Sequence, residues 1–187
     1  MNIKRKNRKI KYNEENYINL NYMVNGKAVI PVELETVDDL FMKHDYKQFE
    51  LSDDVCKYIE EIAYMIPIST DIVIELHCPE VDDVFKEKMI RAIRNNYGME
   101  IDDIDYENRM SGYISAILFI VGIVIFIIAY ALEGKILKII DEFLFILGWF
   151  IIWDMLESII FTSNERNIKR LNKLQLYDSK VEFIFDK

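Results

Sequence analysis

Residues Ser111–Leu132, SGYISAILFIVGIVIFIIAYAL, run for 22 positions without a charged side chain. As a helix they extend about 33 Å at ~1.5 Å per residue, enough to cross a hydrocarbon core of ~30 Å. A core helix of a water-soluble domain keeps a polar stripe toward solvent, and this stretch has none. It follows more than a hundred largely polar residues, so it does not read as a cleavable leader. A second apolar segment, Ile136–Phe161, begins after a turn around Glu133, Gly134 and Lys135. A turn this short predicts an antiparallel pair, a transmembrane helical hairpin over residues 109–161.

The flanks set an expected direction. Arg166, Lys169, Arg170 and Lys173 follow Phe161, whereas the turn carries only Lys135 and Lys138. Bases near membrane ends mark the cytoplasmic side, and acids count for little in that rule. The expectation is a multi-pass cell-membrane protein with both termini cytoplasmic. Those four bases are then predicted to touch anionic lipid headgroups, and the bilayer is the first partner.

The second segment contains acids. GWFIIWDMLESIIF, Gly148–Phe161, follows uncharged residues into Asp154 and Glu157. Reversal at Gly134 places Glu157 level with Ser111, which puts Arg109 within reach, its stem running along the apolar surface. Arg109, Asp154 and Glu157 are accordingly expected to form a polar cluster at the inner interface, with an ion pair from Arg109 to Glu157 or alternatively Asp154. Trp149 and Trp153, four apart, are expected interface anchors. Asp141 and Glu142 suit the positive N-terminal end of the second helix.

The net charge of −9 hides a division along the chain. Lys4, Arg5, Lys6, Arg8, Lys9 and Lys11 lie in an acid-free start, while residues 12–108 carry 23 acids against 8 bases. The acidic region repels a phosphate backbone, so nucleic acid is not an expected partner. Residues 1–16 read as a basic disordered arm.

Residues 17–108 read as a cytoplasmic α+β domain. YINLNYMVNGKAVIPVEL, Tyr17–Leu34, alternates apolar and polar residues about Asn25-Gly26, which predicts a β-hairpin, with Pro31 on an edge. ETVDDLFMKHDYKQFEL, residues 35–51, shows no firm period and reads mostly as loop. Ser52-Asp53-Asp54 opens an amphipathic helix with Val55, Ile59, Ile62 and Ile66 inward and Pro67 as its stop. DIVIELH, Asp71–His77, reads as a strand. A second amphipathic helix begins after Pro79, buries Val81, Phe85, Met89, Ile93 and Tyr97, and is expected to end at Gly98. Beyond the hairpin, residues 162–187 form a basic helix and an alternating strand, KVEFIFDK, expected to return to the sheet. The fold class is therefore α+β: a small cytoplasmic sheet with two amphipathic helices, a transmembrane hairpin and a returning C-terminal strand.

Motifs for catalysis and cofactors are absent from the linear sequence. It has no GxxxxGK[ST], no GxSxG and no HExxH. Cys56 and Cys78 stand alone, outside any CxxC spacing, and read as reduced thiols. His77 and Cys78 point to opposite faces of a strand, and His44 is isolated, so no metal or other cofactor is expected.

Ile66-Pro67 closing the first helix, Ala92-Ile93-Arg94 in the second, and Gly148-Trp149, Trp153 and Glu157 before a basic segment together carry a resemblance. From Leu51 onward the chain resembles an uncharacterised family of bacterial integral membrane proteins with a cytoplasmic α+β region before a two-helix hairpin. It departs from that pattern at Met155, near which the family has a proline, at Asp154, where it has a base, and at Ser163 and Asn164, where it has aromatics. The resemblance implies a fold and a location, with no activity to carry over. The leading expectation is a non-catalytic adaptor, sensor or assembly module held at the inner leaflet. It would contact an unknown protein partner or form a homo-oligomer, and Gly112, Gly122 and Gly148 are expected to permit close helix contacts. One alternative is an oligomeric channel or transporter component using Asp154 and Glu157. Another is a membrane-bound enzyme of unknown reaction built from those acids with His44 or His77.

Overall fold

The computed structural model describes residues 22–24, 26–45, 47, 50–132, 134 and 138–185. The basic arm and residues 17–21 of the expected hairpin lie outside them. The fold is mixed α+β, a four-stranded mixed sheet with helices. By internal contacts the chain divides into two compact units, residues 1–101 with 171–187 and residues 102–170.

In the first unit the sheet order is β1 (Met23–Val24), β2 (Lys27–Glu33), β3 (Ile72–Cys78) and β4 (Lys180–Phe185). β1 is antiparallel to β2, with Met23 opposite Ala28 and Val24 opposite Lys27. Gly26 between them has φ +79°, a left-handed conformation that costs glycine nothing. β2, β3 and β4 run parallel. The backbone N–H groups of Ala28 and Leu34 donate to the carbonyls of Asp71 and His77. Bonds from a parallel strand to one neighbour alternate along it, so even-numbered residues of β2 serve β3 and Pro31 falls on the side where no donor is needed. The terminal strand does return to the sheet: Ile74 pairs with Val181 and Leu76 with Phe183.

Register places Ala28, Ile30, Val32, Ile72, Ile74 and Leu76 on one face, all buried. Against this face pack α1 (Asp53–Tyr64) and the first part of α2 (Asp83–Leu132). α1 begins after Ser52, buries Ile59 and Ile62, and ends at Tyr64, just before Ile66-Pro67. Asp82 opens α2, its Oδ1 accepting from the Phe85 N–H at 2.8 Å. Met89, Ile93 and Tyr97 are fully buried, as the helical spacing predicts. The segment after β2 is less loose than its lack of period suggests. It contains a 3₁₀ turn, Val37–Leu40, and an isolated bridge from Phe41 to Leu51, and it sends Leu40, Phe41 and Leu51 into the core.

Gly98 does not end α2, which runs 50 residues in all, from Asp83 to Leu132. A glycine within a helix weakens it by only ~1 kcal/mol, too little to stop it when turns on both sides are helical. The Tyr177 ring packs against Gly98, 3.4 Å from where a Cβ would lie.

In the second unit, α2 from residue 102 pairs with α3 (Lys138–Glu157), a π-helical turn (Ser158–Thr162) and the start of α4 (Ser163–Tyr177). The helices are antiparallel: Gly122 faces Ile152, while Phe126, further along α2, faces Gly148, earlier in α3. A Cβ on Gly122 would meet Ile152 Cγ1 at 2.8 Å, and one on Gly148 would meet the Phe126 ring at 3.1 Å. Two of the three glycines expected to permit close helix contacts, Gly122 and Gly148, thus lie at the contact between α2 and α3, whereas Gly112 has nothing within 4 Å among the described residues. Both helices contain stretches long and apolar enough to cross a membrane, and only 17% and 11% of those stretches is buried.

Candidate functional site

In the α+β unit three helices converge on one polar cluster. On α1, Cys56 and Glu60 are four apart and share a face. On α2, Asn96, Tyr97 and Glu100 occupy successive turns. Lys173 comes from the last turns of α4, more than seventy residues downstream of either glutamate's helix face. Its ammonium is 2.6 Å from Glu60 Oε1 and also contacts Glu100 Oε2. The Cys56 thiol donates to Glu60 at 2.9 Å, and Asn96 Nδ2 donates to Cys56 Sγ at 3.3 Å and to Glu100 Oε1 at 3.2 Å. The Tyr97 hydroxyl is buried with no hydrogen-bond partner among the described residues, and its ring lies beneath the ammonium, 5.7 Å from Nζ.

The electrostatics follow from burial and pairing. Burial acts most strongly on Lys173 and opposes its charge, but hydrogen bonds to Glu100 and Glu60 outweigh it and hold the ammonium above its ordinary pKa. Burial, then the hydrogen bond to Glu60, pushes the Cys56 thiol up to about 12, so near neutral pH it remains a thiol and a weak nucleophile. Burial also raises the Tyr97 phenol, with Cys56 and Glu60 adding to the effect. One donor atom each from Cys56, Glu60 and Glu100 lies within 4.8 Å of the others, a spacing able to hold a metal ion. Sequence reasoning missed this group: its signal was two i,i+4 polar pairs on the flanks of apolar helix faces, and nothing linear tied either to Lys173.

The same tertiary closure uses Gln175. Its Nε2 donates to the carbonyls of Pro67 at 3.0 Å and Thr70 at 2.7 Å, tying the end of α4 to the turn between α1 and β3.

The interface cluster expected from the sequence is not assembled. Arg109, Asp154 and Glu157 are each exposed, and among the described residues Arg109 makes no ion pair with either carboxylate. The height of the acids is not the reason: Ser158, next to Glu157, lies beside Ser111, the level that reversal at Gly134 gives, and Arg109, Asp154 and Glu157 are exposed instead of turned toward one another. The polar contacts that do form lie beside it: Arg170 binds Asp105 through two bonds of 2.5 and 2.9 Å, Arg166 Nε donates to Asn108 at 2.8 Å, and the Ser111 and Ser158 hydroxyls approach to 3.5 Å. The Arg170 hydrogen bond leads in holding Asp105 below the usual carboxylate range. Trp149 and Trp153 are exposed and stacked, with ring centroids 6.5 Å apart.

Of the four bases expected at lipid headgroups, Lys173 is 8% exposed and turned inward, where it neutralises part of the charge of the half-buried Glu60 and Glu100. Arg166 and Arg170 are engaged within the chain, and Lys169 is exposed. His44 is exposed, while His77 lines an open cleft of about 610 Å³ with Pro31, Glu33, Asp54 and Tyr58, its Nε2 lying 3.8 Å from Glu75.

Comparison with protein-family models, curated proteins and solved structures finds no match for this chain.

Proposed function

We propose that the chain is an integral membrane protein whose hairpin crosses the bilayer twice and holds the α+β unit at the cytoplasmic surface. There it serves as a non-catalytic adaptor, sensor or assembly module. The observation that carries this reading is the outward apolar surface of the second unit, with Ile117, Ile120, Ile127, Phe143 and Phe150 all about 60% exposed or more. Leaving such side chains in water forfeits ~1.5–3 kcal/mol each, so the surface calls for an apolar solvent. Direction is supported by the bases after Phe161. They act during insertion, before Lys173 finds its buried partners, so its final burial does not remove it from the charge bias. The non-catalytic reading is supported by the Cys56 cluster, whose thiol is held protonated and whose two carboxylates are both engaged by the Lys173 ammonium.

Single cysteines test this in a background with Cys56 and Cys78 replaced by serine. A membrane-impermeant maleimide is expected to label Gly134→Cys in intact cells and Lys180→Cys only after permeabilisation. The reverse pattern overturns the orientation, and recovery of the full chain from cells without detergent overturns the membrane reading.

A second reading, an oligomeric channel or transporter component, is favoured by the exposure of Asp154 and Glu157 on α3. It requires several copies to enclose a polar path. Conductance in proteoliposomes that disappears on neutralising both acids supports it, and a silent, correctly inserted sample counts against it.

A further inference from the structure

We propose that Cys56, Glu60 and Glu100 form a binding site for a borderline divalent cation of the zinc class, and that this cation enters by exchange with the Lys173 ammonium. The donor set is one sulfur and two carboxylate oxygens, a combination suited to zinc and poorly suited to magnesium or calcium, which take oxygen alone. All three donors sit on helices whose neighbouring turns are buried in the core, and their atoms already lie within 4.8 Å of one another. An ion held at ~2.0–2.3 Å from each donor needs only a modest closing of side-chain torsions.

Two features show that the cluster is built for more than an ion pair. With Lys173 in place it holds two carboxylates against one cation, leaving an excess negative charge on two half-buried groups. The Tyr97 side chain, 0% exposed, brings to the same place a hydroxyl with no hydrogen-bond partner among the described residues. An ion ligated by three protein groups keeps a fourth position for water, and a water there supplies the partner that the phenol lacks. Asn96, which already donates to both Cys56 and Glu100, orients two of the three ligands.

The exchange balances. Before it the group comprises a neutral thiol, two carboxylates and one ammonium, a net charge of minus one. The metal brings two positive charges, Lys173 departs protonated, and the thiol releases its proton to solvent as the metal–sulfur bond forms. The site again carries minus one. Because Lys173 belongs to α4, metal uptake removes one of the ties that hold α4 to α1 and α2.

The test is titration of the untagged, reduced, full-length protein in detergent with Co²⁺, reading the thiolate-to-cobalt charge-transfer absorption and the proton released, followed by displacement with Zn²⁺. The wild-type protein is expected to bind one Co²⁺ with one proton released. Cys56→Ser is expected to abolish the absorption and Cys78→Ser to leave it. Glu60→Gln and Glu100→Gln are expected to weaken binding by roughly tenfold or more. Lys173→Gln is expected to tighten it by a similar factor, since the competing cation is gone. The circular dichroism of each variant separates loss of ligand from loss of fold, and Cys56→Ser, nearly isosteric, is the variant on which the conclusion rests. Absorption that persists in Cys56→Ser overturns the proposal. So does its absence from the wild type at millimolar Co²⁺, including the case in which Lys173→Gln alone binds, for then the lysine is the only cation the natural site accepts.

Discussion

Isoleucine is an interior residue in one half of this molecule and an exterior residue in the other. In the α+β unit Ile30, Ile59 and Ile74 are 0% exposed, whereas in the helical pair Ile117 and Ile127 are 61% and 62% exposed. The charged groups differ in the same direction but by less. Lys173 is 8% exposed between two glutamates that are each about a third exposed in the first unit, while both partners of the Arg170–Asp105 pair in the second are 33% and 39% exposed. One region is organised around a core that excludes water. The other keeps small residues, Gly122, Gly148 and Ala129, at its helix contact and turns its large side chains outward. The contribution of a residue therefore depends on which region contains it.

Substitutions that separate the regions should differ most in stability. Lys173→Ala leaves Glu60 and Glu100, 33% and 32% exposed, without their shared counter-ion and is expected to cost ~1–3 kcal/mol. Arg170→Ala, at a more exposed pair, is expected to cost no more than ~1 kcal/mol. Denaturant unfolding in detergent distinguishes them, and equal losses would break the contrast. Leu76→Ala, in the centre of β3, is expected to cost ~2–5 kcal/mol, whereas Ile120→Ala, 60% exposed on α2, should shift the same transition little.

A smaller effect concerns the helix contact. Gly122→Ala puts a Cβ against Ile152 and is expected to cost ~1–3 kcal/mol as the helices move apart. Gly112→Ala, with nothing within 4 Å, is expected to be neutral or slightly stabilising. If both are neutral, the close approach is not a stabilising contact.

The smallest effect is in the pH limits. Asp105 has a folded pKa below its ordinary value of 3.8, so its contribution is present above that pH and is lost as pH falls through the folded pKa. Lys173 has a folded pKa above 10.5, so its contribution is complete below that pH and is lost as pH rises through the folded pKa. Asp105→Asn should flatten only the acid limb of the stability curve. Lys173→Gln should flatten only the alkaline limb. A curve altered at the wrong end would break the assignment.

Much of the architecture could be read locally. The turn at Gly26, the start of α1 after Ser52, its stop before Pro67 and the buried row Met89, Ile93 and Tyr97 each depend on residues within a few positions of one another. Gly98 shows where local reading fails. A glycine that suggests a stop is carried through because the helix continues on either side and Tyr177 packs against the space it leaves. The interface ion pair failed for a related reason: a count from the turn gives the level of Glu157, and Ser158 does lie beside Ser111, but it does not give which way the side chains turn, and Arg109, Asp154 and Glu157 are all exposed.

The chain's own order of residues determined the alternation of strands and amphipathic helices, and the two long apolar segments, because periodicity and length are properties of neighbouring positions. Only the tertiary structure decided that Lys173 belongs to Glu60 and Glu100, that Cys56 lies beside them, and that Gln175 closes the turn at Pro67. The reason is physical. A buried charge must find an opposite charge wherever packing brings one close, and packing of β4 onto β3 with α4 onto α1 and α2 is settled by the whole core at once.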